Sequence, residues 1–196
     1  MSHIHSFEPV CRRDARILLL GSMPGKVSLQ ANQYYAHDRN VFWRIIEDIF
    51  HISHTNPYQQ RLDALQVHRV ALWDVLKTCT RKSSLDSDIE ESSIMPNDFQ
   101  TFFSTHQEIR QLYFNGAKAE AAYLKYVQPS LSRQYQPLKT TRLPSTSPAN
   151  ASMSYEDKVK AWKCIAEELH VSSRYKTGRL APAENHNRSS TTKLNA

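Results

Sequence analysis

No stretch of this sequence approaches the ~18 apolar residues that a membrane-spanning helix needs. The run Ile17 to Leu20 is among its longest and has the length of a buried strand. Met1 to Pro9 lacks the apolar core of a secretory leader. A cytoplasmic protein without a membrane partner is therefore expected. Cysteine is also sparse. Cys11, Cys79 and Cys164 lie far apart and form no CxxC pair, which argues against a disulfide framework and against a thiolate metal or iron–sulfur site. Among nine histidines, His51 and His54 have ligand spacing. No third ligand lies near them, and a zinc site needs three or four. They read as solvated residues past a helix end, and neither metal nor cofactor is expected.

Acidic excess is absent too, since the net charge is +6. The segment from Val171 to the end holds five Lys or Arg and one Glu, so +4 of that lies in the tail. The remainder, Met1 to His170, carries only +2. The basic balance thus belongs to a tail of Ser, Thr, Asn and Arg, expected to be disordered. Such a tail either adds weak, salt-sensitive attraction to nucleic acid or is simply solvated. The chain divides into a domain at 1–171 and a tail at 172–196.

Within the domain, Ile17 to Gly21 (ILLLG) reads as a buried strand stopped by glycine. Gly21 to Asp38 has no period and reads as a long functional loop. Phe42, Ile45, Ile46, Ile49 and Phe50 then mark one apolar helix stripe, with Asp38 as a plausible N-cap. Pro57 to Leu65 reads as a short helix, and Val67 to Trp73 as a strand. Lys77 to Ser93 is polar and serine-rich, and is expected to be loop. Pro96 to Thr105 reads as a helix with Pro early. Ile109 to Asn115 reads as a strand, Ala117 to Val127 as a helix and Gln136 to Leu143 as a fourth strand. Ser154, with Asp157 three residues on, is expected to cap a last helix buried through Val159, Trp162, Ile165, Ala166 and Leu169.

Strands alternating with helices point to an α/β layer fold with a largely parallel sheet. Ligands of such sheets sit beyond the carboxyl ends of the strands. The loops Gly21–Asp38, Asn115–Gly116 and Pro144–Met153 all follow strands, so they are expected to converge on one edge.

Each loop carries a motif. GSMPGKVS at 21–28 is not a triphosphate loop, because only three residues separate its glycines and Val27 stands between Lys26 and Ser28. Its Pro24–Gly25 turn can still present backbone N–H groups to a polar ligand edge. In YYAHDRNVFW at 34–43, an aromatic ahead of a helix can stack on a base, worth roughly 1–3 kcal/mol. Alternatively, Tyr34 and Tyr35 simply cover the sheet edge. LPSTSPANA at 143–151 suits a stiff loop whose hydroxyls bind phosphates, or a solvated turn.

Together, these segments resemble the uracil-DNA glycosylase superfamily over about Ala15 to His170. The pattern GSMPG, YYAHxRNxFW, FNG and LPSTSPANA is most similar to its hypoxanthine-DNA (deoxyinosine) glycosylase branch. The resemblance implies a three-layer αβα sandwich around a four-stranded sheet. It also implies a monofunctional enzyme that flips a deaminated base out of DNA and hydrolyses its bond to the sugar. Met23 stands where other branches carry a water-positioning Asn or Asp, so that role is implied to pass to Asn40. The histidine of the uracil-specific HPSP loop is absent, because Leu143 precedes Pro144. Tyr35 is implied to stack on the base. Asn115 and the Ser22, Met23, Pro24 and Gly25 segment are implied to bind its edge. Ser145 and Ser147, with Ser22, would hold phosphates, Ala149 and Asn150 would enter the vacated space, and Pro148 would contact DNA beside them. No lysine nucleophile stands out, so an abasic product without strand scission is expected, from an enzyme working as a monomer. A uracil-directed mismatch enzyme on the same fold and a non-catalytic nucleic-acid-binding domain remain alternatives.

Overall fold

The computed structural model describes residues 2–136 and 138–169. The expected C-terminal tail lies outside the described residues, as does Pro137 in the expected fourth strand. In chain order the elements are β1 (Ser2–His5), β2 (Ile17–Gly21), α1 (Lys26–Ala31), α2 (Phe42–Phe50), α3 (Tyr58–Val67), β3 (Val70–Asp74), β4 (Leu76–Arg81), β5 (Ile89–Pro96), α4 (Phe99–Thr105), β6 (Gln111–Asn115), α5 (Ala117–Ala122), β7 (Lys139–Leu143) and α6 (Tyr155–Trp162). A 3₁₀ turn, Asp86–Asp88, joins β4 to β5.

Four strands form a parallel sheet in the order β3-β2-β6-β7. The near-continuous apolar runs of β2 and β3 suit it, because both faces are covered. Ile17 and Leu19 pack against α2, α3 and α6. Leu18 and Leu20 pack against α4, α5 and a second sheet. The result is the expected three-layer α/β arrangement. β7 is an edge strand, exposed except for Leu143, and its Lys and Arg blunt that edge.

Several expected boundaries move. The segment 77–93 is not loop. It holds β4 and the start of β5, which with β1 make a three-stranded antiparallel sheet. The β-branched threonines of β4 suit a strand, but its partner β1 is some 70 residues away in sequence, so no local pattern announces the pairing. The loop at 21–38 contains α1, too short to show a period. Asp38 does not cap α2. Its carboxylate takes the Arg39 N–H at 2.8 Å, and Asn40 Oδ1 instead takes the Phe42 N–H at 3.0 Å. Val67 closes α3 rather than opening β3. Pro96 ends β5, and Asp98 caps α4 through the Thr101 N–H. α5 passes into a π turn at Tyr123–Val127. The Ser154 cap is present, with Asp157 N–H to Ser154 Oγ at 3.1 Å and the hydroxyl returned to Asp157 Oδ2.

Candidate active site

β3 and β6 flank β2 on opposite sides, so the strand order reverses at β2. A crevice opens at such a switch point, beyond the carboxyl ends of the strands. Gly21 and Asp74 are paired in register there, and Asn115 ends the neighbouring β6. Gly21 has to lack a side chain, because a Cβ would lie 2.4 Å from Asp74 Oδ1. The crevice is a cavity of about 840 Å³ lined by all three post-strand loops, within the usual range for ligand sites.

Its floor is polar and desolvated. Asp74 is 3% exposed, and its Oδ2 has no hydrogen-bond partner among the described residues. Burial, then the nearby Asp86, push its carboxyl up to about 8, against the pull of Arg81. Asp86 accepts the Ser22 hydroxyl at 2.7 Å. Burial raises its carboxyl as well, opposed by Ser22 and Arg81. Arg81 is buried behind this pair and donates Nη2 to the Pro24 carbonyl. Burial lowers the affinity of that guanidinium for its proton.

Tyr35 forms one wall. Its backbone is left-handed (φ 56°), a conformation that strains a bulky residue. One ring face stacks on Phe42 at 3.8 Å and 19°, and the residue lines the cavity. Burial and then Asp74 push its hydroxyl above the usual phenol range, and Asn115 offsets part of that rise. Asn40 lies at the mouth, partly buried. Its bond to the Phe42 N–H orients the amide with Oδ1 toward the helix start. Nδ2 and one Oδ1 lone pair have no partner among the described residues.

The 144–153 loop forms the opposite wall and is braced to the rest. Asn115 Oδ1 accepts the Thr146 N–H at 2.8 Å, and Asn115 Nδ2 donates to Thr146 Oγ1 at 2.9 Å. The Thr146 carbonyl takes the Val41 N–H at 3.2 Å, tying this loop to the start of α2. Ser147 N–H bonds Ser145 Oγ, Ala149 N–H bonds Ser147 Oγ, and Asn150 Nδ2 bonds the Ser145 carbonyl. Trp162 Nε1 and Lys158 Nζ hold the Pro144 and Asn150 carbonyls from α6. Gly116 (φ 99°) allows the close approach, since a Cβ there would meet Ser145 Cβ at 2.9 Å.

Every base-binding, water-placing and DNA-contacting residue expected from sequence lines this one cavity. Their commitments differ. The Ser22 hydroxyl is engaged by Asp86, Met23 is 7% exposed and packs into the core, and both ends of the Asn115 amide hold Thr146. Pro148 and Ala149 stand exposed. Sequence reasoning passed over Asp74, Arg81, Asp86 and Thr146. Asp74 had a signal, because an acid ends an apolar strand run just as Gly21 and Asn115 end theirs. Arg81 and Asp86 had none, because the strand and turn that deliver them were read as loop. Among the described residues no group of three or more His, Cys, Asp or Glu could hold a metal. His54 meets Glu47 instead. Among the same residues no helix is long and apolar enough to cross a membrane.

A four-stranded parallel α/β sheet with an aromatic-walled, desolvated cavity at its switch point defines a protein that can enclose one planar ligand. Comparison with known proteins gives its family. The sequence profile of the uracil DNA glycosylase superfamily matches residues 8–167. A hypoxanthine DNA glycosylase of Methanosarcina acetivorans is 32% identical over 166 residues, 81% of this chain and 95% of the relative. Another, from Methanosarcina barkeri, is 37% identical over 118 residues, 58% of this chain and 71% of the relative. The solution NMR structure of a Methanosarcina acetivorans protein, assigned provisionally as a uracil DNA glycosylase, superposes with a TM-score of 0.71 at 31% identity. The match covers 86% of this chain and 99% of that one. The chain belongs to the uracil DNA glycosylase superfamily, a class of DNA N-glycosylases.

Proposed function

We propose that this chain is a monofunctional glycosylase of base excision repair that releases a deaminated base from DNA, with hypoxanthine as its main substrate. The observation that carries this reading is the single cavity joining Tyr35, Asn40, Asn115 and the Ser145–Asn150 turn. The names of the two relatives favour hypoxanthine. A base inside a duplex cannot reach such a cavity, so the nucleotide swings out, most easily where pairing is already weak. Ala149 and Asn150 occupy the gap, and Pro148 contacts DNA beside them. The hydroxyls of Ser145 and Ser147, with the rim cations Lys26 and Arg39, hold phosphates, which positions the strand without reading it.

The extruded base stacks against Tyr35. Backbone groups of Ser22, Met23, Pro24 and Gly25, together with Asn115, face its edge. Asn40 holds a water against the sugar carbon. An amide is too weak a base to deprotonate water, so it acts by placement. Water adds to the sugar carbon as the bonding pair leaves with the base, giving free base and an abasic site. Preorganised donors around the base stabilise the charge it gathers. The protein works as a monomer.

The test uses duplexes carrying one hypoxanthine, uracil or xanthine, incubated with the protein and then treated with alkali. Strand cleavage only after alkali, and fastest for hypoxanthine, is expected. Release of uracil alone would favour the mismatch reading on the same fold. No release from any of the three would leave only a nucleic-acid-binding domain.

A further inference from the structure

Asp74 has no part in placing the water, yet it is the acid set deepest in the cavity floor. Its main chain is anchored, since the Asn97 amide holds its carbonyl at 2.8 Å. Its carboxyl is not, since Oδ2 is buried without a hydrogen-bond partner among the described residues, and Asp74 is one of the residues that line the cavity. Gly21 keeps that face open, because any side chain there would collide with Oδ1.

Burial first, and then Asp86, oppose a negative charge on this carboxyl. Asp86 faces it from the 3₁₀ turn. Tyr34, Tyr35 and Tyr58 stand nearby as neutral phenols, each raised first by burial and further by the Asp74 charge. Arg81, from β4, is the cation that favours ionisation. Among the described residues Arg81 makes no ion pair with it, and its Nη1 also lacks a partner. Burial without donors favours the neutral acid, and the carboxyl is accordingly pushed up to about 8. A neutral carboxylic acid carries a proton that it can give up near neutral pH.

We propose that Asp74 is the general acid of base release, giving its carboxylic proton to an acceptor atom on the edge of the flipped base as the glycosidic bond breaks. The inference rests on the glycosylase reading. The electron pair of the sugar–base bond goes to the base, the Asp74 O–H bond breaks, and its proton joins the base. Water adds to the sugar carbon. The surplus proton of that water returns through solvent to the Asp74 carboxylate. The net change is addition of one water, with no oxidation or reduction.

The experiment measures single-turnover base release from hypoxanthine and uracil duplexes by wild type, Asp74→Asn and Asp74→Ala, from about pH 6 to about pH 10. Asparagine keeps the shape and an N–H donor but cannot transfer a proton. The wild-type rate is expected to be level at low pH. It should then fall about tenfold per pH unit above about 8, at the same pH for both bases. Asp74→Asn and Asp74→Ala should release base about 10²-fold more slowly at neutral pH and lose that limb. A limb due to ionisation of the substrate base would persist in the variants and differ between the two bases. Variants with the wild-type limb or rate would overturn the proposal. If the variants fail to fold by circular dichroism, the wild-type profile decides. A rate that stays level through about pH 9, or a limb that moves with the base, refutes it. Wild type inactive at every pH on both duplexes would instead sink the glycosylase reading, and this inference with it.

Discussion

At the amino ends of β2, β3, β6 and β7 the chain closes on itself, and at their carboxyl ends it opens. The amino edge is sealed by main-chain bonds, with Arg16 N–H to the Arg69 carbonyl at 2.8 Å and Arg110 N–H to the Arg16 carbonyl at 2.9 Å. Gln111, buried there, spends its amide on Thr141 and Leu112. The hollow at that edge is small, about 190 Å³, and is rimmed by charges such as Glu108, Arg110 and Glu168. The carboxyl edge has a cavity more than four times larger. It also holds Asp74 Oδ2, the Tyr35 hydroxyl and Arg81 Nη1, which lack hydrogen-bond partners among the described residues. Two ends of the same strands thus differ in how completely their polar groups are satisfied. Buried, unmet hydrogen-bonding capacity is costly, and it persists where a ligand can meet it.

The largest way to sharpen this contrast is Asn40→Ala. Base release should fall by about 10²-fold or more, as misplacing a reactant does, while duplex binding persists. Near wild-type turnover would remove Asn40 from the mechanism. Asn115→Ala strikes the brace between two walls, leaving the buried Thr146 N–H and hydroxyl unpaired. A loss of about 1–3 kcal/mol is expected, visible in a denaturant titration. An unchanged midpoint would show the brace to be dispensable.

Asp74→Asn makes a signed prediction. The folded-state carboxyl is raised from 3.8 to about 8, so the folded protein binds a proton that the unfolded chain has released across that window. Wild-type stability should therefore fall as pH rises from about 4 to about 8, and the variant should escape the fall. The variant's Tm should gain on wild type steadily across that range, then run level. Parallel Tm curves would mean that Asp74 is not raised. At the other edge, Glu108→Ala should change stability by less than about 0.5 kcal/mol and leave base release untouched. A clear loss of release there would break the comparison.

Much of this was legible in sequence for a physical reason. Parallel strands covered on both faces read as apolar runs, so ILLLG, VALWD and QLYFN announce themselves, and the stripe from Phe42 to Phe50 has helical period. The strand–loop order alone brought Asn40, Asn115 and Ser147 to one edge. The small antiparallel sheet was not legible, because its strands are short and polar and its pairing joins the N-terminus to β4. Illegible with it were Arg81 and Asp86, and so the electrostatics of the cavity floor. The Asn40 bond to the Phe42 N–H was missed for a different reason. Asp38 offered the same chemistry two residues earlier, and only the backbone path decides between them.

The most direct test of the central claim, that a flipped base occupies the carboxyl-edge cavity, follows amide resonances of ¹⁵N-labelled Asn40→Ala during titration with duplexes. Matched duplexes with and without one hypoxanthine are compared. Shifts specific to the damaged duplex should cluster at Gly21 to Gly25, Asn115 to Gly116 and Ser145 to Asn150, and be absent around Arg16, Arg110 and Gln111. Identical shifts from both duplexes, or damage-specific shifts at the amino edge, would contradict it.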